Sequence, residues 1–326
     1  MQQLLMTEHY VTLFDSNFLP QGLALHSSLL EHGGDFLLWV LCVDANCLAK
    51  LKELDLPHMR LLDLAKLETP ELRAVKPSRS RAEYCWTLTP WSIQWVFEAD
   101  QTSQRVTYVD ADVLFLKPPS PIFEEFLVSR RAVMITEHSY APEYDMTLIS
   151  GRFCVQFMCF SRYTGFPVLN WWRDRCTEWC FAYFDNGLFG DQKYLEHFET
   201  LFPSLIYSTG YDKRFLAPWN SSIFPYSEAI MFHFHGLRIV NSSLIHAANH
   251  VIPSPTLLNV YLPYCNTLLQ FTKIYNLSIF SSGYNHHLII LWMFRCFKQI
   301  QRRLLGLNRP PYWFQTCRGS GISIIW

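Results

Sequence analysis

The chain has 326 residues, half of them hydrophobic, with 27 lysines and arginines against 28 acidic residues. This composition is sufficient for a large buried core, and the balanced charge argues against a nucleic-acid partner, which would require a basic surplus. Since the first ten residues show no basic segment followed by a long apolar one, we expect no secretory signal and a cytoplasmic location.

The ten cysteines are scattered through hydrophobic segments without a CxxC pair, which predicts reduced core cysteines. Cys176 and Cys180 lie on one face of a predicted helix but have no histidine nearby in sequence. A zinc site is therefore not expected there.

Apolar segments of strand length alternate with segments of helical periodicity in the first half of the chain. The candidate strands are 10–14, 36–43, 59–64, 105–109, 133–136 and 153–160, and the candidate helices include 20–30, 45–54 and 79–98. Pro90 is expected to kink or divide the last of these helices. The alternation predicts an α/β fold with a mostly parallel, Rossmann-like sheet flanked by helices.

Asp110-Ala111-Asp112 follows the candidate strand 105–109 directly. Such triplets are common in ordinary turns, but here they lie at the carboxyl end of a central strand, where open α/β sheets bind their ligands. Two carboxylates at this spacing can hold one divalent ion, which would neutralise a diphosphate leaving group. Because the carboxylates repel each other without an ion, we expect Asp112→Asn to change stability hardly at all.

His233 and His235, in the segment MFHFHGLR, are candidates for a third ligand from a distant part of the chain. Imidazole suits manganese better than magnesium. The alternative is a pair on a strand with one ring facing inward and the other outward.

Four segments in this order resemble bacterial proteins related to glycosyltransferase family 8. They are Tyr108 to Leu116 (YVDADVLFL), Gly190 to Tyr194 (GDQKY), Leu216 to Asn220 (LAPWN) and His233 to Gly236 (HFHG). The resemblance covers about residues 9 to 240. It implies a GT-A fold over residues 1–250, a nucleotide diphosphate sugar donor, Mn²⁺ (or Mg²⁺) and retention of anomeric configuration.

The resemblance assigns the metal ligands to Asp110, Asp112 and His233, which lies three residues before Gly236 as in the family motif. His235 is the alternative ligand. The family often has a lysine after this motif that contacts the donor phosphates. Arg238 lies one position before the place of that lysine and is the candidate for the phosphate contact.

Asp191 and Gln192 resemble the family's pair beside the anomeric carbon of the donor sugar, although Asp191 could also be a helix-start carboxylate. Cys154 stands where related sequences usually have an asparagine that holds the sugar. This difference leaves open a non-catalytic nucleotide-sugar-binding protein with the same fold.

Asp15 and Asn17, after the first strand, match positions that contact the base and ribose in the family; an ordinary turn is their alternative. Arg79 and Arg81 match positions near the donor phosphates or sugar, with solvated surface arginines as the alternative.

The expected activity is metal-dependent transfer of a hexose to a glycan, lipid or protein acceptor.

Residues 251–309 are expected to form a helical C-terminal region. Arg295, Lys298 and Arg302 form a basic stripe on an otherwise apolar helix, typical of helices at a membrane surface. This segment either contacts the inner face of the membrane, which would favour lipid acceptors, or packs on the catalytic domain. The tail 310–326 mixes proline, glycine and aromatic residues, and we expect poor order there.

Overall fold

The computed structural model describes residues 6–241, 244–248, 250–277, 312–317 and 321–325, the last two segments by their backbone alone. A seven-stranded sheet forms the centre of the protein. Its strands are β1 (Glu8–Phe14), β2 (Phe36–Cys42), β3 (Met59–Asp63), β4 (Arg105–Val109), β6 (Val133–Glu137), β7 (Phe153–Ser161) and β8 (Ile206–Ser208).

The strand order is β3-β2-β1-β4-β7-β6-β8, and neighbours are parallel except where β7 pairs with β4 and β6. The predicted α/β class with a mostly parallel sheet is therefore confirmed. The chain leaves β1 toward β2 on one side, while β4 lies on the other side of β1. Open α/β sheets bind their ligands outside the carboxyl ends of the strands where the strand order reverses in this way.

Helices cover both faces of this sheet. They are α1 (Leu19–His32), α2 (Ala45–Leu54), α3 (Leu64–Leu67), α4 (Pro70–Val75), α5 (Arg81–Ala99), α6 (Ser120–Ser129), α7 (Thr147–Ser150), α8 (Phe166–Glu178) and α9 (Phe198–Leu201). Successive residues of β1 enter opposite cores, Tyr10 on the side of α1 and α6 and Val11 on the side of α5 and α8. Because both faces of the sheet are buried, its central strands have apolar side chains at nearly every position instead of at alternate ones.

Helix α5 begins with a capping box between Ser80 and Glu83 and passes through Pro90 without dividing. Pro90 therefore does not divide the helix, and a kink there, the other expected outcome, stays a prediction. An internal proline costs about 3 kcal/mol. Burial of Leu88, Ile93 and other side chains of the same helix offsets this cost, at roughly 1.5–3 kcal/mol for each large apolar side chain.

A second, three-stranded sheet has the order β5-β10-β9 and consists of β5 (Val113–Phe115), β9 (Phe215–Leu216) and β10 (Met231–His233). A third sheet is antiparallel, with β11 (Arg238–Asn241), β12 (Leu244–Ala248), β13 (Tyr312–Cys317) and β14 (Gly321–Ile325) in sequential order. Strands β13 and β14, which the sequence analysis did not predict, lie within 310–326, and the expectation of poor order for that tail stays a prediction.

The described part of the C-terminal region contains α10 (Ser254–Thr256), a π-helical segment (Leu257–Tyr261) and α11 (Leu262–Ile274), which contacts α1. The predicted basic stripe of Arg295, Lys298 and Arg302 lies outside the described residues. The division into 1–250, 251–309 and 310–326 stays a prediction. Within the described part of the chain, none of the helices has the length and apolar character needed to cross a membrane.

The indole of Trp172 joins α8 to the central sheet. It is fully buried and stacks on Phe160 of β7 with ring centroids 6.1 Å apart and planes 4° from parallel. Its Nε1–H donates a 2.8 Å hydrogen bond to the carbonyl of Asp191. Packing of the sheet and the position of residue 191 therefore depend on the same side chain.

We predict that Trp172→Ala lowers the free energy of unfolding by about 3–5 kcal/mol, because it leaves a large cavity and an unpaired carbonyl. Urea denaturation measures the change. The control Leu148→Ala removes a side chain that is 86% exposed and should change stability by less than about 0.5 kcal/mol. A similar small effect for Trp172→Ala would contradict this description of the core.

Candidate active site

The Asp110–Asp112 turn is held from two sides by backbone hydrogen bonds. The N–H of Asp110 donates to the carbonyl of Gln156 on β7 at 3.2 Å, and the N–H of Val113 donates to the carbonyl of Asp110 at 3.1 Å. The N–H of Phe234 donates to the carbonyl of Asp112 at 2.9 Å. The turn is thus fixed between β7 and the segment that follows β10.

Strand β10 places His233 beside this turn because it pairs antiparallel with β5, with His233 opposite Val113. The Nε2 atom of His233 lies 3.6 Å from Oδ2 of Asp110 and 3.2 Å from Oδ1 of Asp112. One ligand atom from each of the three side chains lies within 4.8 Å of the others. Two hard oxygen donors and one imidazole nitrogen are a donor set that suits Mn²⁺, and the metal therefore fits these residues.

His235 does not join this group among the described residues. Gly236 has a φ of 80°, a conformation that favours glycine, and turns the chain from β10 into β11. His235 stands exposed beside this turn, whereas His233 is buried. Strand β10 ends at His233, so His235 lies beyond the strand, with its ring centroid 5.6 Å from that of His233 and its ring nitrogens outside the group of three ligand atoms.

The three side chains perturb one another in the metal-free protein. Burial raises the pKa of Asp110. Burial acts in the same direction on Asp112, but the positive charge and hydrogen bond of His233 outweigh it and lower the pKa of Asp112 to about 2. Burial lowers the pKa of His233, but Asp112 outweighs this effect and raises it well above 6.5. Asp112 and His233 therefore form an ion pair near neutral pH.

This ion pair argues against the expectation that Asp112→Asn leaves stability unchanged, which stays a prediction. Lowering the pKa of Asp112 from 3.8 to about 2 corresponds to about 2 kcal/mol, the upper end of what the pair contributes. The folded-state pKa is depressed, so this stability is present above about pH 4 and is lost as the pH falls toward 2.

Asp15 and Arg81, two residues singled out by the sequence analysis, lie together at the carboxyl ends of β1 and β2. Nε of Arg81 lies 2.6 Å from Oδ2 of Asp15, and its Nη2 lies 2.5 Å from Oδ2 of Asp44. Asp15 also accepts the backbone N–H of Asn17 at 2.8 Å, and Asp44 accepts the N–H of Ser16 at 3.1 Å. Arg81 therefore holds the turn after β1 against the end of β2.

Arg79 occupies a more interior position than Arg81. It is 9% exposed and donates to the carbonyls of Cys176 and Thr177 at 2.7 Å each, which ties the start of α5 to the end of α8. It also lines a surface pocket with Lys76 and Tyr84. The structure thus gives Arg79 two backbone partners, and its contact with a donor stays a prediction.

Arg238 lies exposed at the start of β11. Its guanidinium group is 5.3 Å from the ring centre of Phe18, in the turn that begins with Asp15. Burial raises the pKa of Asp112, and the charge of Arg238 adds to the larger effect of His233 in lowering it. Arg238 therefore contacts the turn after β1 and acts electrostatically on Asp112.

Asp191 follows Gly190, which has a φ of 54°, and its side chain is 5% exposed. Burial, and then the negative charge of Asp110, raise the pKa of Asp191 to about 7, although the nearby hydroxyl of Thr89 acts in the opposite direction. Gln192 is half-buried and precedes the 3₁₀ helix Lys193–His197. Asp191 is thus electrostatically coupled to the cluster from a separate segment.

Cys154 is 3% exposed on β7 and packs with Ala217 and Trp219. Its thiol is hydrogen-bonded to His233. The residue that departs from the family pattern therefore borders the group of Asp110, Asp112 and His233.

Asp44 and Gln156 were missed by the sequence analysis. Asp44 follows the apolar strand β2 in the same way that Asp110 follows β4, so its position at a strand end was a usable signal. Gln156 is 1% exposed in an otherwise apolar strand, and its Oε1 lies 2.9 Å from Nδ1 of His233. A polar residue inside a buried strand was its signal.

We predict that Asp191→Asn stabilises the metal-free protein more at about pH 8 than at about pH 4. The folded-state pKa is raised, so the wild type loses stability as the pH rises from about 4 to about 7. The shift from 3.8 to about 7 sets an upper limit of about 4 kcal/mol for this difference.

Chemical denaturation of both proteins in chelator at the two pH values measures it. Asp174→Asn, at an exposed position of α8, is the matched control and should show little pH dependence. A stability difference for Asp191→Asn that does not vary with pH would contradict the buried, uncharged state of this carboxyl group.

No family model matches the chain, but individual proteins are similar to most of it in sequence or in structure. The chain is 32% identical to Bacillus subtilis (strain 168) YfnF over 256 residues, which cover 72% of this chain and 84% of YfnF. It is 27% identical to YfnD of the same organism over 280 residues, covering 79% and 88% of the two chains. The solved structure of mouse xyloside xylosyltransferase 1 aligns with a TM-score of 0.48 at 16% identity, covering 71% of this chain and 98% of that one. With such identity to YfnF over most of both sequences, the chain belongs to the YfnF family.

Proposed function

We propose that this protein is a metal-dependent glycosyltransferase with a GT-A fold related to family 8. It transfers a hexose from a nucleotide diphosphate sugar to a glycan, lipid or protein acceptor, with retention of anomeric configuration. The observation that supports this proposal best is the convergence of Asp110, Asp112 and His233 at the carboxyl end of β4. The histidine lies more than a hundred residues from the aspartates in sequence, so an accidental turn motif does not explain the group.

Asp110, Asp112 and His233 are proposed to hold Mn²⁺ or Mg²⁺. Ionised carboxylates only accept hydrogen bonds and supply hard oxygen ligands, while neutral His233 supplies Nε2. Three protein ligands leave positions for phosphate oxygens of the donor. A divalent ion bound here would neutralise charge on the leaving diphosphate.

The nucleoside is proposed to bind at the carboxyl ends of β1 and β2. Asp15 and Asn17 lie in the turn after β1, where the strand order reverses between β1 and β4. Arg81 holds Asp15 in place through its ion pair at 2.6 Å, and Arg79 and Lys76 add positive charge in the adjoining pocket. Contacts with the base and ribose are thus assigned to Asp15 and Asn17, and contacts with phosphate or sugar to the arginines.

Arg238 is proposed to contact the diphosphate. It packs on Phe18 beside the nucleoside site and acts electrostatically on Asp112 beside the metal site. In a nucleotide sugar the diphosphate connects the nucleoside to the sugar, so it would extend from the proposed nucleoside site to the proposed metal site. The guanidinium group can donate two parallel hydrogen bonds to phosphate oxygens, which a lysine in the same place cannot do.

Asp191 and Gln192 are proposed to hold the sugar. A carboxyl group with a pKa of about 7 can donate or accept a hydrogen bond with donor hydroxyl groups near neutral pH. A divalent cation held by Asp110 would offset the charge of that carboxylate, so that ionised Asp191 would be less unfavourable and could accept hydrogen bonds from two hydroxyl groups. The amide of Gln192 lies on the same segment and is assigned to the reacting centre.

We place this activity in the cytoplasm. Contact with the inner face of a membrane, and hence a lipid acceptor, is proposed for the segment containing Arg295, Lys298 and Arg302, which lies outside the described residues. A non-catalytic nucleotide-sugar-binding protein is the alternative, because Cys154 replaces the asparagine usual in the family.

We predict that Asp112→Asn lowers sugar transfer or donor hydrolysis by about two to three orders of magnitude, because it removes one charged ligand of the ion while keeping side-chain shape. A panel of nucleotide sugars identifies the donor of the wild type. Both proteins are then titrated with Mn²⁺ after chelator treatment. Asp174→Asn serves as the matched control on an exposed helix face and should retain wild-type activity.

Circular dichroism should show that Asp112→Asn remains folded at neutral pH, with a stability loss of no more than about 2 kcal/mol. Full wild-type activity in excess chelator, or an unaffected Asp112→Asn variant, would contradict the metal mechanism. Donor binding without transfer or hydrolysis by the wild type would support the non-catalytic alternative.

A further inference from the structure

Gln156 contacts two of the three proposed ligands and has no part in the roles assigned above. It lies on β7 and is 1% exposed. Its backbone carbonyl accepts the N–H of Asp110 at 3.2 Å. Its side-chain Oε1 lies 2.9 Å from Nδ1 of His233. One residue of the central sheet therefore connects the aspartate turn with the histidine of β10.

The chemistry of this contact determines which nitrogen of His233 is available. An amide oxygen only accepts hydrogen bonds, so Nδ1 must hold a proton and donate it to Gln156. The second nitrogen, Nε2, is then the one with a free lone pair when the ring is neutral. This is the atom that lies 3.2 Å from Asp112 and 3.6 Å from Asp110.

Other contacts limit the movement of the His233 ring without selecting a tautomer. The indole of Trp219 lies 5.5 Å from it, with the ring planes 89° apart. Cys154 precedes Gln156 by two residues on β7, so both side chains lie on the same face of the strand. The thiol is a weak partner, and the amide of Gln156 is the stronger directional restraint on the ring.

We propose that Gln156 is a positioning residue that holds the Nδ1–H tautomer and the ring orientation of His233, so that Nε2 faces the ion. This inference rests on the metal site of the proposed function. Histidines that bind metals commonly donate their second N–H to such a partner, and loss of that partner weakens metal binding about 10- to 100-fold. The apolar surroundings strengthen the effect, since water does not replace the lost acceptor.

The test measures Mn²⁺ alone binding to the full-length, chelator-treated protein by titration calorimetry. Gln156→Met keeps the length of the side chain and removes the acceptor, so Mn²⁺ affinity should fall about 10- to 100-fold. Gln156→Glu restores an acceptor at the same place and should bind Mn²⁺ at least as tightly as the wild type.

Thr136→Val is the matched control, because it removes a different buried hydrogen bond to the same strand. The hydroxyl of Thr136 lies 3.3 Å from the carbonyls of Cys154 and Phe157 on β7. This variant should bind Mn²⁺ within about twofold of the wild type, since it leaves the partner of His233 in place. An equal loss of affinity in Thr136→Val and Gln156→Met would show general loosening of β7 and overturn the proposal.

Wild-type affinity in Gln156→Met would also overturn it. A wild type that binds no Mn²⁺ would instead contradict the metal site of the proposed function, and this outcome is distinct because it appears before any substitution. If Gln156→Met does not fold, ¹⁵N NMR of the wild type with diamagnetic Zn²⁺ decides the question. A proton on Nδ1 of His233 supports the proposal, and an unprotonated or metal-bound Nδ1 overturns it.

Discussion

Negative charge at the carboxyl edge of the central sheet is the constraint on which the rest of the site depends. Asp15, Asp44 and Asp110 follow β1, β2 and β4, and Asp112 and Asp191 lie beside Asp110. Partly buried carboxylates are unfavourable unless they are paired, neutralised by a proton or bound to a cation. Arg81 pairs with two of them, His233 pairs with Asp112, and a raised pKa keeps Asp191 protonated to about pH 7.

The strand order explains why these groups meet. Parallel strands place their carboxyl ends at one edge, and the strand order reverses between β1 and β4, the position at which open α/β sheets bind their ligands. The antiparallel strand β7 then brings Gln156 to the same place from the opposite chain direction. The small sheet of β5, β9 and β10 adds His233 through its pairing with Val113. The site therefore depends on pairing between distant segments more than on any one loop.

Much of this arrangement could be predicted from the sequence, because strand-length apolar segments and carboxylates at their ends are local signals. The sheet, its mostly parallel character and the candidate aspartates follow from such signals. The partner of each group could not be predicted in the same way. Arg81 bridges Asp15 and Asp44, and Gln156 meets His233, through strand pairings that no short sequence window contains. The unbroken helix α5 likewise depends on burial around Pro90. Strand β13 pairs with a distant β12, and β14 pairs with β13.

One divalent ion is proposed to bind between Asp110, Asp112 and His233. Anomalous diffraction from crystals soaked in Mn²⁺ and a nucleoside diphosphate would locate it. We expect a single strong manganese peak within coordination distance of both carboxylates and of Nε2 of His233, with phosphate oxygens completing the shell. A peak elsewhere, a peak on His235, or no peak at this group while the nucleotide is bound at the carboxyl ends of β1 and β4 would contradict this proposal.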